Sequence, residues 1–455
     1  MVCRHHRRHL FLTSLRAGAS RVGPRLNLRS YDVSKPNLIS RRGVIRAAAA
    51  ATAMFACPVI AKAKPRVVVV GGGAGGATAA KYLRHGNDAI DVTLIEANRR
   101  YVTPFTSNLY LGGLKPFDTL SFGYEGVAAH GVGLVFDQVS AIDRDNKEVR
   151  TASGARLGYD RLVLSPGIDF RWDAVPGYSE AAAERMPHGY RGGTQFQLLK
   201  SQLDALGDGA LIVIIAPPNP YRCPPAPYER ASMMAHALKS RGVKNARIVI
   251  LDAKDHFAMQ TLFIDGWERH YSGMVEWQDP TIHGGIKAVD PKAMTVTTDF
   301  ETHKAALVNV IPPQIAGKLG RDAGLADASG FCPVDAGTMA SLIDPSIHVI
   351  GDSATGGEFP KSGFAANNEG KTAAMIIRAD LIGDRRMPVR FTNHCWSDIA
   401  PDDAIKNGAR YTPQDGKIVM SDPYTSQLDE SPQLRAKQAR EAAGWYIGMT
   451  TDIFG

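Results

Sequence analysis

A short β-branched run followed by closely spaced glycines constrains the fold of this chain more than any other feature. Residues 66–70 read Arg-Val-Val-Val-Val, and Gly71, Gly73 and Gly76 follow in the spacing G-x-G-x-x-G. In such a loop glycine turns the chain tightly, lets backbone N–H groups reach a pyrophosphate and lets the next helix pack close to the strand. The sequence therefore predicts a strand, a glycine loop and a helix that together bind a dinucleotide.

Three further predicted strands end in residues suited to the same ligand. They are 91–95, which ends at Glu96, 162–164, which precedes Ser165 and Gly167, and 346–350, which precedes Gly351 and Asp352. An acid in the position of Glu96 accepts hydrogen bonds from ribose hydroxyls. In two-dinucleotide flavoproteins the Gly-Asp pair contacts the ribityl–phosphate part of FAD, and the strand-plus-glycine element closes over it. A simple NAD dehydrogenase needs neither, so FAD is the predicted cofactor.

The middle of the chain repeats this pattern without its glycines. Residues 210–216 and 246–252 read as strands of a second βαβ unit, with a helix predicted over 228–239. A pyridine-nucleotide enzyme should have a glycine loop after the first of these strands, but residues 217–225 contain five prolines. Prolines lack the N–H groups that cradle a pyrophosphate. We predict that the topology is kept and NAD(P) binding is lost, so electrons exchange with something other than a nicotinamide.

The chain has five cysteines, too few for a disulfide-dense scaffold. Cys223 lies in the proline-rich loop, where a nicotinamide would otherwise bind, and Cys332 lies shortly before the second FAD element. Two thiols near a flavin can form a disulfide that a soft nucleophile attacks, and the released thiolate can pass electrons to the flavin. The residues alone are equally compatible with a structural disulfide or two buried thiols. For Cys395 we expect a buried thiol.

Several motifs together resemble the flavoprotein subunit of flavocytochrome c sulfide dehydrogenase over residues 64–455. They are the glycine segment 69–83, Cys-Pro-Pro-Ala-Pro-Tyr-Glu-Arg at 223–230, Phe-Cys-Pro-Val-Asp at 331–335, Pro-Lys-Ser-Gly-Phe-Ala-Ala-Asn at 360–367, and segments at 445–446 and 452–455. The resemblance implies oxidation of sulfide to polysulfide or elemental sulfur through a redox disulfide of Cys223 and Cys332. It also implies that electrons pass through FAD to a partner c-type cytochrome subunit.

The same resemblance implies an α/β fold of the two-dinucleotide-binding, glutathione-reductase-like kind. Its second nucleotide domain would be degenerate, and a small C-terminal α+β domain would cover the flavin. Lys361 and Gly363 would lie beside the flavin, where the Lys361 cation would lower the cost of negative charge on the reduced ring. Glu229 would be a proton acceptor near Cys223 or an acid in the first turn of a helix.

One position departs from the resemblance. The family commonly attaches FAD covalently through a cysteine in a Thr-Cys-aromatic-x-Ser-Asn stretch, whereas residues 103–108 read Thr-Pro-Phe-Thr-Ser-Asn. Pro104 stands where that cysteine would be, and proline has no thiol. We therefore predict that FAD is bound non-covalently.

Two other functions remain compatible with these motifs. A sulfide:quinone oxidoreductase shares the fold and the cysteine logic but needs an amphipathic C-terminus that inserts into a membrane, whereas residues 435–441 are polar. An electron-transfer or redox-repair flavoprotein acting on a sulfur-carrier protein is the second alternative. No C-x-x-C-H motif occurs, so the expected haem belongs to a partner. His256, His270 and His303 share no metal-ligand spacing, and no metal site is predicted.

The positive charge of the chain is concentrated at one end. Net charge is +8 overall, but residues 1–63 hold 12 Lys and Arg and a single acid, which leaves 41 basic and 44 acidic residues beyond them. This removes the argument for nucleic-acid binding, and no apolar run is long enough for a membrane span. Adjacent arginines at 41–42, an Ala-rich stretch and Ala-Lys-Ala at 61–63 predict a twin-arginine signal and a periplasmic location.

These features together predict the domain organisation. The expected segments are a signal at 1–63, an FAD-binding domain in two parts at 64–185 and 301–385, a nucleotide-like domain at 186–300, and a C-terminal flavin-covering and cytochrome-docking domain at 386–455.

Overall fold

The computed structural model describes residues 63–455. The predicted export signal lies outside these residues except for its last position, Ala63. Residues 63–455 form one compact unit. Within that unit, no helix combines the length and apolar character needed to cross a membrane.

A five-stranded parallel sheet forms the first half of the molecule. In spatial order its strands are Ile347–Val349, Arg161–Leu164, Arg66–Val70, Asp91–Glu96 and Gly133–Phe136. The four valines of the central strand are buried, as expected where helices cover both faces of a parallel sheet. Helices Ala74–Arg84 and Gly363–Ile382 pack against each other beside this sheet. The predicted strand, glycine loop and helix are therefore present.

A four-stranded parallel sheet forms the second half. In spatial order its strands are Val275–Gln278, Arg247–Asp252, Leu211–Ala216 and Leu307–Val310, and the neighbouring helices are Thr194–Asp204, Ala226–Ser240 and Gln260–Tyr271. The last strand lies beyond residue 300, the expected end of this domain. It pairs with the first strand of the repeat, Ile212 facing Leu307. The second half therefore extends about a dozen residues further along the chain than the sequence pattern indicates.

The C-terminal region is an antiparallel sheet covered by a long helix, in agreement with the predicted α+β character. Its three strands are Phe391–Ala400, Asp403–Gln414 and Lys417–Thr425, and its helix is Pro432–Phe454. Ser431 caps that helix by accepting a hydrogen bond from Leu434 N at 3.2 Å. The helix packs on the middle strand, while strand Phe391–Ala400 lies against helix Ala226–Ser240 of the second half.

Shorter elements connect these three parts. Antiparallel strands are Val139–Asp143, Glu148–Thr151 and Arg156–Gly158; Ile286–Asp290, Thr295–Thr298 and Thr302–Lys304; Ile168–Phe170 with Gln314–Ala316; and Tyr101–Val102 with Ser121–Phe122. Cys332–Pro333 and Ala354–Thr355 form a short parallel pair. Short helices are Ser107–Leu111, Glu125–Ala129, Pro280–His283 and Lys318–Asp322, and 3-10 turns are Phe117–Leu120, Trp172–Ala174, Ala182–Glu184 and Gly351–Ser353.

Candidate active site

A cleft of about 670 Å³ opens at the carboxyl edge of the first sheet. Val70 lies opposite both Ile95 and Leu164 in the sheet, so the loops that follow these strands meet at one edge. Ligands of open α/β sheets bind at this edge. Of the predicted cofactor-binding residues, those lining the cleft are Gly71, Gly73, Glu96, Ser165, Gly167, Gly351, Asp352 and Gly363.

The glycine loop tolerates no side chain at its two tightest positions. Gly71 has φ +94°, and a Cβ there would lie 2.3 Å from the Ser165 carbonyl oxygen. Gly76 does not line the cleft, but a Cβ on it would lie 1.8 Å from the Gly71 oxygen. Glycine at these positions therefore keeps the loop folded around a space that a pyrophosphate fits.

Glu96 both lines the cleft and braces the loop. Its Oε2 accepts a hydrogen bond from Gly72 N at 2.6 Å, and its Oε1 accepts one from Asn98 N at 2.9 Å. Oε1 also accepts from Asn98 Nδ2 at 3.2 Å, whereas Oε2 keeps a further lone pair. The side chain is thus held at the edge of the cleft with acceptor capacity left for a ribose hydroxyl.

A buried carboxyl supports the Gly351-Asp352 turn. Gly351 N donates to Glu369 Oε2 at 2.5 Å, and burial raises the pKa of Glu369 to about 8. Asp352 pairs with Arg222, Oδ2 to Nη1 at 3.5 Å. Sequence reasoning missed Glu369, since an acid inside a long helix carries no local sign that it is buried. In the sequence only the Gly-Asp motif identified this turn; in the structure Glu369 and Arg222 hold it in place.

Lys361 lies beside the cleft and does not line it. Its Nζ donates to the Ala354 carbonyl oxygen at 2.6 Å and lies 4.0 Å from the centroid of the Phe331 ring. Burial lowers the pKa of this ammonium group. Its predicted role toward a reduced flavin remains a prediction, because the structure directs the amine to protein groups.

The two cysteine-bearing segments flank the Lys361 segment. Cys223 N donates to the Lys361 carbonyl oxygen at 2.8 Å, and Cys332 pairs in register with Ala354, whose carbonyl oxygen accepts the Lys361 amine. Cys223 has φ +56°, a left-handed backbone conformation that is strained for residues other than glycine. Such strained residues cluster at functional sites. The turn places the Cys223 thiol just before the start of helix Ala226–Ser240.

All three cysteines of the described chain are free thiols. Burial raises the pKa of Cys223, and a neighbouring thiol, Cys395, raises it further. Burial raises the pKa of Cys332 to about 11, while the Lys361 cation opposes this shift. The reduced thiols are therefore held protonated near neutral pH, and reactivity toward a nucleophile requires the disulfide form.

A second, smaller cavity of about 90 Å³ adjoins the cleft, and we call it the thiol cavity. Cys223 and Cys395 line it, whereas Cys332 does not and has no exposed surface. Residues lining both the thiol cavity and the cleft are Pro104, Tyr190, Arg222, Ser362 and Gly363. The thiol cavity and the cleft therefore share a wall next to Cys223.

Two buried carboxyl groups, Glu229 and Asp398, also line the thiol cavity. Glu229 Oε2 accepts from Asn108 Nδ2 at 2.6 Å, and its Oε1 accepts from Asp398 N at 3.0 Å. Burial raises the pKa of Glu229, and burial together with the Glu229 charge raises the pKa of Asp398 to about 8. Each group can hold a proton beside the thiols. Asp398 was missed by sequence reasoning because it lies in an edge strand far from any motif.

Protein side chains fill the place where the second half would hold a nicotinamide nucleotide. Asp252 ends the second strand of the repeat, the position whose acid binds ribose in nucleotide domains. It is fully buried and accepts from Tyr228 Oη at 2.5 Å, Trp277 Nε1 at 2.9 Å and Lys254 Nζ at 2.5 Å. With its oxygens engaged by protein donors, Asp252 has no exposed surface to offer a ribose.

The described residues contain no group of three or more His, Cys, Asp or Glu side chains arranged for a metal ion. Three of the histidines instead have acidic neighbours. Nitrogen–oxygen distances are 2.6 Å for His256 and Asp255, 2.7 Å for His270 and Asp403, and 3.3 Å for His303 and Glu301.

Three family models match different parts of the chain. Residues 196–312 match the central domain of the sulfide dehydrogenase [flavocytochrome c] flavoprotein chain, and residues 387–454 match the flavin-binding domain of flavocytochrome c sulphide dehydrogenase. Residues 65–215 match the pyridine nucleotide-disulphide oxidoreductase family. The match of residues 387–454 to a flavin-binding domain confirms that the chain is a flavoprotein.

Related proteins agree with these matches. The mitochondrial sulfide:quinone oxidoreductase of Mus musculus is 25% identical over 338 residues, 72% of this chain and 71% of that protein. The Dictyostelium discoideum protein of the same name is 24% identical over 63% of this chain. This match spans 65% of the Dictyostelium protein, just under two thirds of its length.

The predicted fold class is confirmed by solved structures. The sulfide:quinone oxidoreductase of Aquifex aeolicus aligns with a TM-score of 0.65 at 18% identity, covering 85% of this chain and 92% of that one. A putidaredoxin reductase in complex with putidaredoxin aligns with a TM-score of 0.61 at 19% identity, covering 86% and 98%.

One relative is much more similar over a short stretch. The sulfide dehydrogenase [flavocytochrome c] flavoprotein chain of Chlorobaculum thiosulfatiphilum is 58% identical over 43 residues, which are 90% of that sequence and 9% of this chain. The matched domains and this identity agree with the residues from which the resemblance was drawn. The chain belongs to the family of flavoprotein oxidoreductases formed by the flavoprotein chains of flavocytochrome c sulfide dehydrogenase.

Proposed function

We propose that this protein oxidises sulfide to polysulfide or elemental sulfur and delivers the electrons to a partner c-type cytochrome. The observation that carries the proposal is the contrast around Cys223. Its thiol lines a cavity that shares lining residues with the FAD cleft, while protein donors engage Asp252, the acid that would hold a ribose in the second half. Sulfur chemistry at Cys223 is therefore the route by which electrons enter.

The structure supports an order for the two cysteines. In a Cys223–Cys332 disulfide, the sulfur reachable from the thiol cavity is that of Cys223, because Cys332 has no exposed surface. Hydrosulfide attacks the Cys223 sulfur, and the bond to Cys332 breaks. Cys223 then carries a persulfide, and Cys332 leaves as the thiolate, which Lys361 stabilises electrostatically.

Protons released from sulfide have acceptors in the same cavity. Asp398 has a pKa near 8 and is held beside Glu229, so the pair can take up a proton close to neutral pH. Arg222 adds a fixed positive charge at the mouth between cavity and cleft, which favours entry of the hydrosulfide anion.

The cleft residues fit FAD: the glycine loop leaves room for its pyrophosphate, and Glu96 and Asp352 line the walls. When bound, FAD accepts an electron pair and can release it as single electrons to a haem. Non-covalent binding is supported by Pro104 and by the lining of the cleft, which contains no cysteine among the described residues. Acid precipitation of purified protein should leave the flavin in the supernatant; flavin retained in the pellet would overturn non-covalent binding.

The relatives favour one alternative acceptor. Both mitochondrial relatives and the Aquifex structure are named as sulfide:quinone oxidoreductases. We propose a cytochrome in place of quinone, because two domain models of the flavocytochrome family match this chain. We also propose that the protein acts after export through the twin-arginine route. Rapid sulfide-dependent reduction of a water-soluble quinone with none of cytochrome c would reverse this assignment.

Stopped-flow mixing of the purified flavoprotein with sulfide tests the proposal. Sulfide should bleach the flavin of the wild type, and Cys223→Ser and Cys332→Ser should each abolish bleaching while FAD remains bound. Ser240→Ala, at the exposed far end of the helix that follows Cys223, is the matched control and should behave as wild type. Full bleaching in either cysteine variant would refute the mechanism.

A further inference from the structure

The thiol cavity holds a second cysteine that the proposed function does not use. Cys395 lies in strand Phe391–Ala400, which packs against helix Ala226–Ser240. Because Cys223 immediately precedes that helix, the packing brings both thiols to the wall of one cavity. The two sulfurs also interact electrostatically, since Cys395 raises the pKa of Cys223.

One hydrogen bond to Cys395 favours its thiolate and opposes the burial that raises the pKa of this thiol overall. Asn393 Nδ2 donates to Cys395 Sγ at 3.5 Å. Ser362 Oγ donates to Asn393 Oδ1 at 2.6 Å, which fixes the amide with its N–H side toward the sulfur. Burial raises the pKa of Cys395, and this hydrogen bond lowers it. A half-buried thiol that lines a cavity and has a directed N–H donor is more than a packing residue.

The rest of the cavity wall suits a sulfur chain. Phe105, Phe196 and Phe364 form apolar surfaces. The Tyr190 hydroxyl and the Trp445 Nε1 are buried without a hydrogen-bond partner among the described residues, and Tyr190 is only 4% exposed. Buried donors without partners are costly unless a ligand supplies an acceptor. A persulfide, apolar along its sulfurs and anionic at its end, is such a ligand.

We propose that Cys395 accepts the sulfane sulfur from the Cys223 persulfide. The Cys395 thiolate attacks the outer sulfur of Cys223–S–SH, a new S–S bond forms on Cys395, and the bond to Cys223 breaks. The electron pair of the broken bond leaves with the Cys223 thiolate, which takes up the proton that Cys395 lost. The products are Cys395–S–SH and Cys223–SH, so atoms balance and the transfer itself is redox-neutral.

The inference rests on the proposed function and extends it. Attack of hydrosulfide on the disulfide followed by this transfer leaves Cys223 and Cys332 as a dithiol that holds both electrons. The oxidised sulfur atom is meanwhile stored on Cys395. Cys223 and Cys332 therefore hold the electrons while Cys395 holds the sulfur, so the Cys223–Cys332 disulfide can form again before the sulfur product leaves.

Mass-spectrometric mapping of persulfides tests this transfer. Anaerobic holoprotein receives an equimolar amount of sodium sulfide, flavin bleaching is recorded, and thiols and persulfides are alkylated before proteolysis. In the wild type and in Ser240→Ala, the extra sulfur should appear on the peptide containing Cys395. In Cys395→Ser it should remain on Cys223, and in Cys223→Ser none should reach Cys395.

Two results would overturn the transfer while leaving the proposed function intact. One is bleaching of the wild type with the extra sulfur on Cys223 and Cys395 alkylated as a plain thiol. The other is a Cys395 persulfide in Cys223→Ser, since the sulfur would then arrive without Cys223. Absence of bleaching in the wild type would instead refute the proposed function and this inference with it.

Discussion

The two nucleotide-type units of this chain share a strand–turn–helix plan and have become opposite kinds of structure. In the first, the turn after Val70 is built of glycines and borders an open cleft. In the second, the turn after Ala216 is rich in proline, and the acid at the neighbouring strand end is enclosed by Tyr228, Trp277 and Lys254. A nucleotide fold can therefore keep its topology while protein side chains engage the acid of its ligand site.

The filled half has gained something in exchange. The turn that would hold a pyrophosphate presents the Cys223 thiol instead, in a left-handed backbone conformation. The first turn of the following helix carries Glu229, a buried carboxyl where the first half has only small residues. The same position in the plan therefore serves phosphate binding in one half and sulfur and proton chemistry in the other.

The largest effect is expected from a methyl group in the open half. Gly76→Ala would place a Cβ 1.8 Å from the Gly71 oxygen, which is backbone and cannot turn away. The variant should purify without FAD or fail to fold, as read from the flavin absorbance. The matched control is Gly444→Ala, since a Cβ at this helical position meets nothing within 4 Å. The control should keep its flavin, and its free energy of unfolding should rise by up to about 1 kcal/mol.

In the filled half, removal of the Asp252 charge should change the stability of the protein and not its cofactor content. Asp252→Asn leaves Lys254 without its buried partner, which should lower the free energy of unfolding by about 3–5 kcal/mol. FAD content should be unchanged. Asp255→Asn removes a fully solvated pair with His256 and should cost about 1 kcal/mol or less in urea unfolding. Equal effects in the two variants would mean that Asp252 is not the centre of the filled site.

The carboxyl pair formed by Glu229 of the filled half and Asp398 of the C-terminal sheet should give a pH signature. Folding raises the pKa of Asp398 from 3.8 to about 8, so the folded protein binds the proton more tightly than the unfolded chain. Between these values the free energy of unfolding should fall as pH rises, by at most about 1.4 kcal/mol per pH unit from this group. Asp398→Asn should flatten that decline in urea titrations at several pH values. Asp402→Asn, at an exposed neighbouring turn, should not.

The smallest effect is expected from a single donor to the buried acid. Trp277→Phe keeps most of the aromatic packing and removes the Nε1 hydrogen bond to Asp252. Its cost should be about 1 kcal/mol in the free energy of unfolding. NADH should still fail to reduce the flavin, because Tyr228 and Lys254 continue to engage the acid. Reduction by NADH in this variant would show that one side chain alone blocks the site.

Local patterns predicted the elements that line the cleft. The β-branched runs and the glycines act over a few residues, so strands such as Arg66–Val70 and the loop after it follow directly from the sequence. The end of the second half was misplaced, because strand Leu307–Val310 joins that sheet through pairing with a strand almost a hundred residues earlier. Such a long-range pairing leaves no mark in a short window.

Burial of charge was also beyond local patterns. Glu369, Asp398 and Asp252 are ordinary acids in the sequence, and only tertiary packing removes them from water. A backbone carbonyl and an aromatic ring contact the Lys361 amine, and its role toward the flavin stays a prediction. Cys395 was expected to be a buried thiol, but it is half-buried, because contact between two domains places it on the wall of the thiol cavity.

The central claim is that sulfur at Cys223, and not a nicotinamide, feeds electrons into this fold. The direct test is an anaerobic titration of the holoprotein, with NADH added first and sulfide added to the same sample afterwards. We predict that NADH leaves the flavin absorbance unchanged and that sulfide then bleaches it. Rapid bleaching by NADH, or none by sulfide, would contradict the account.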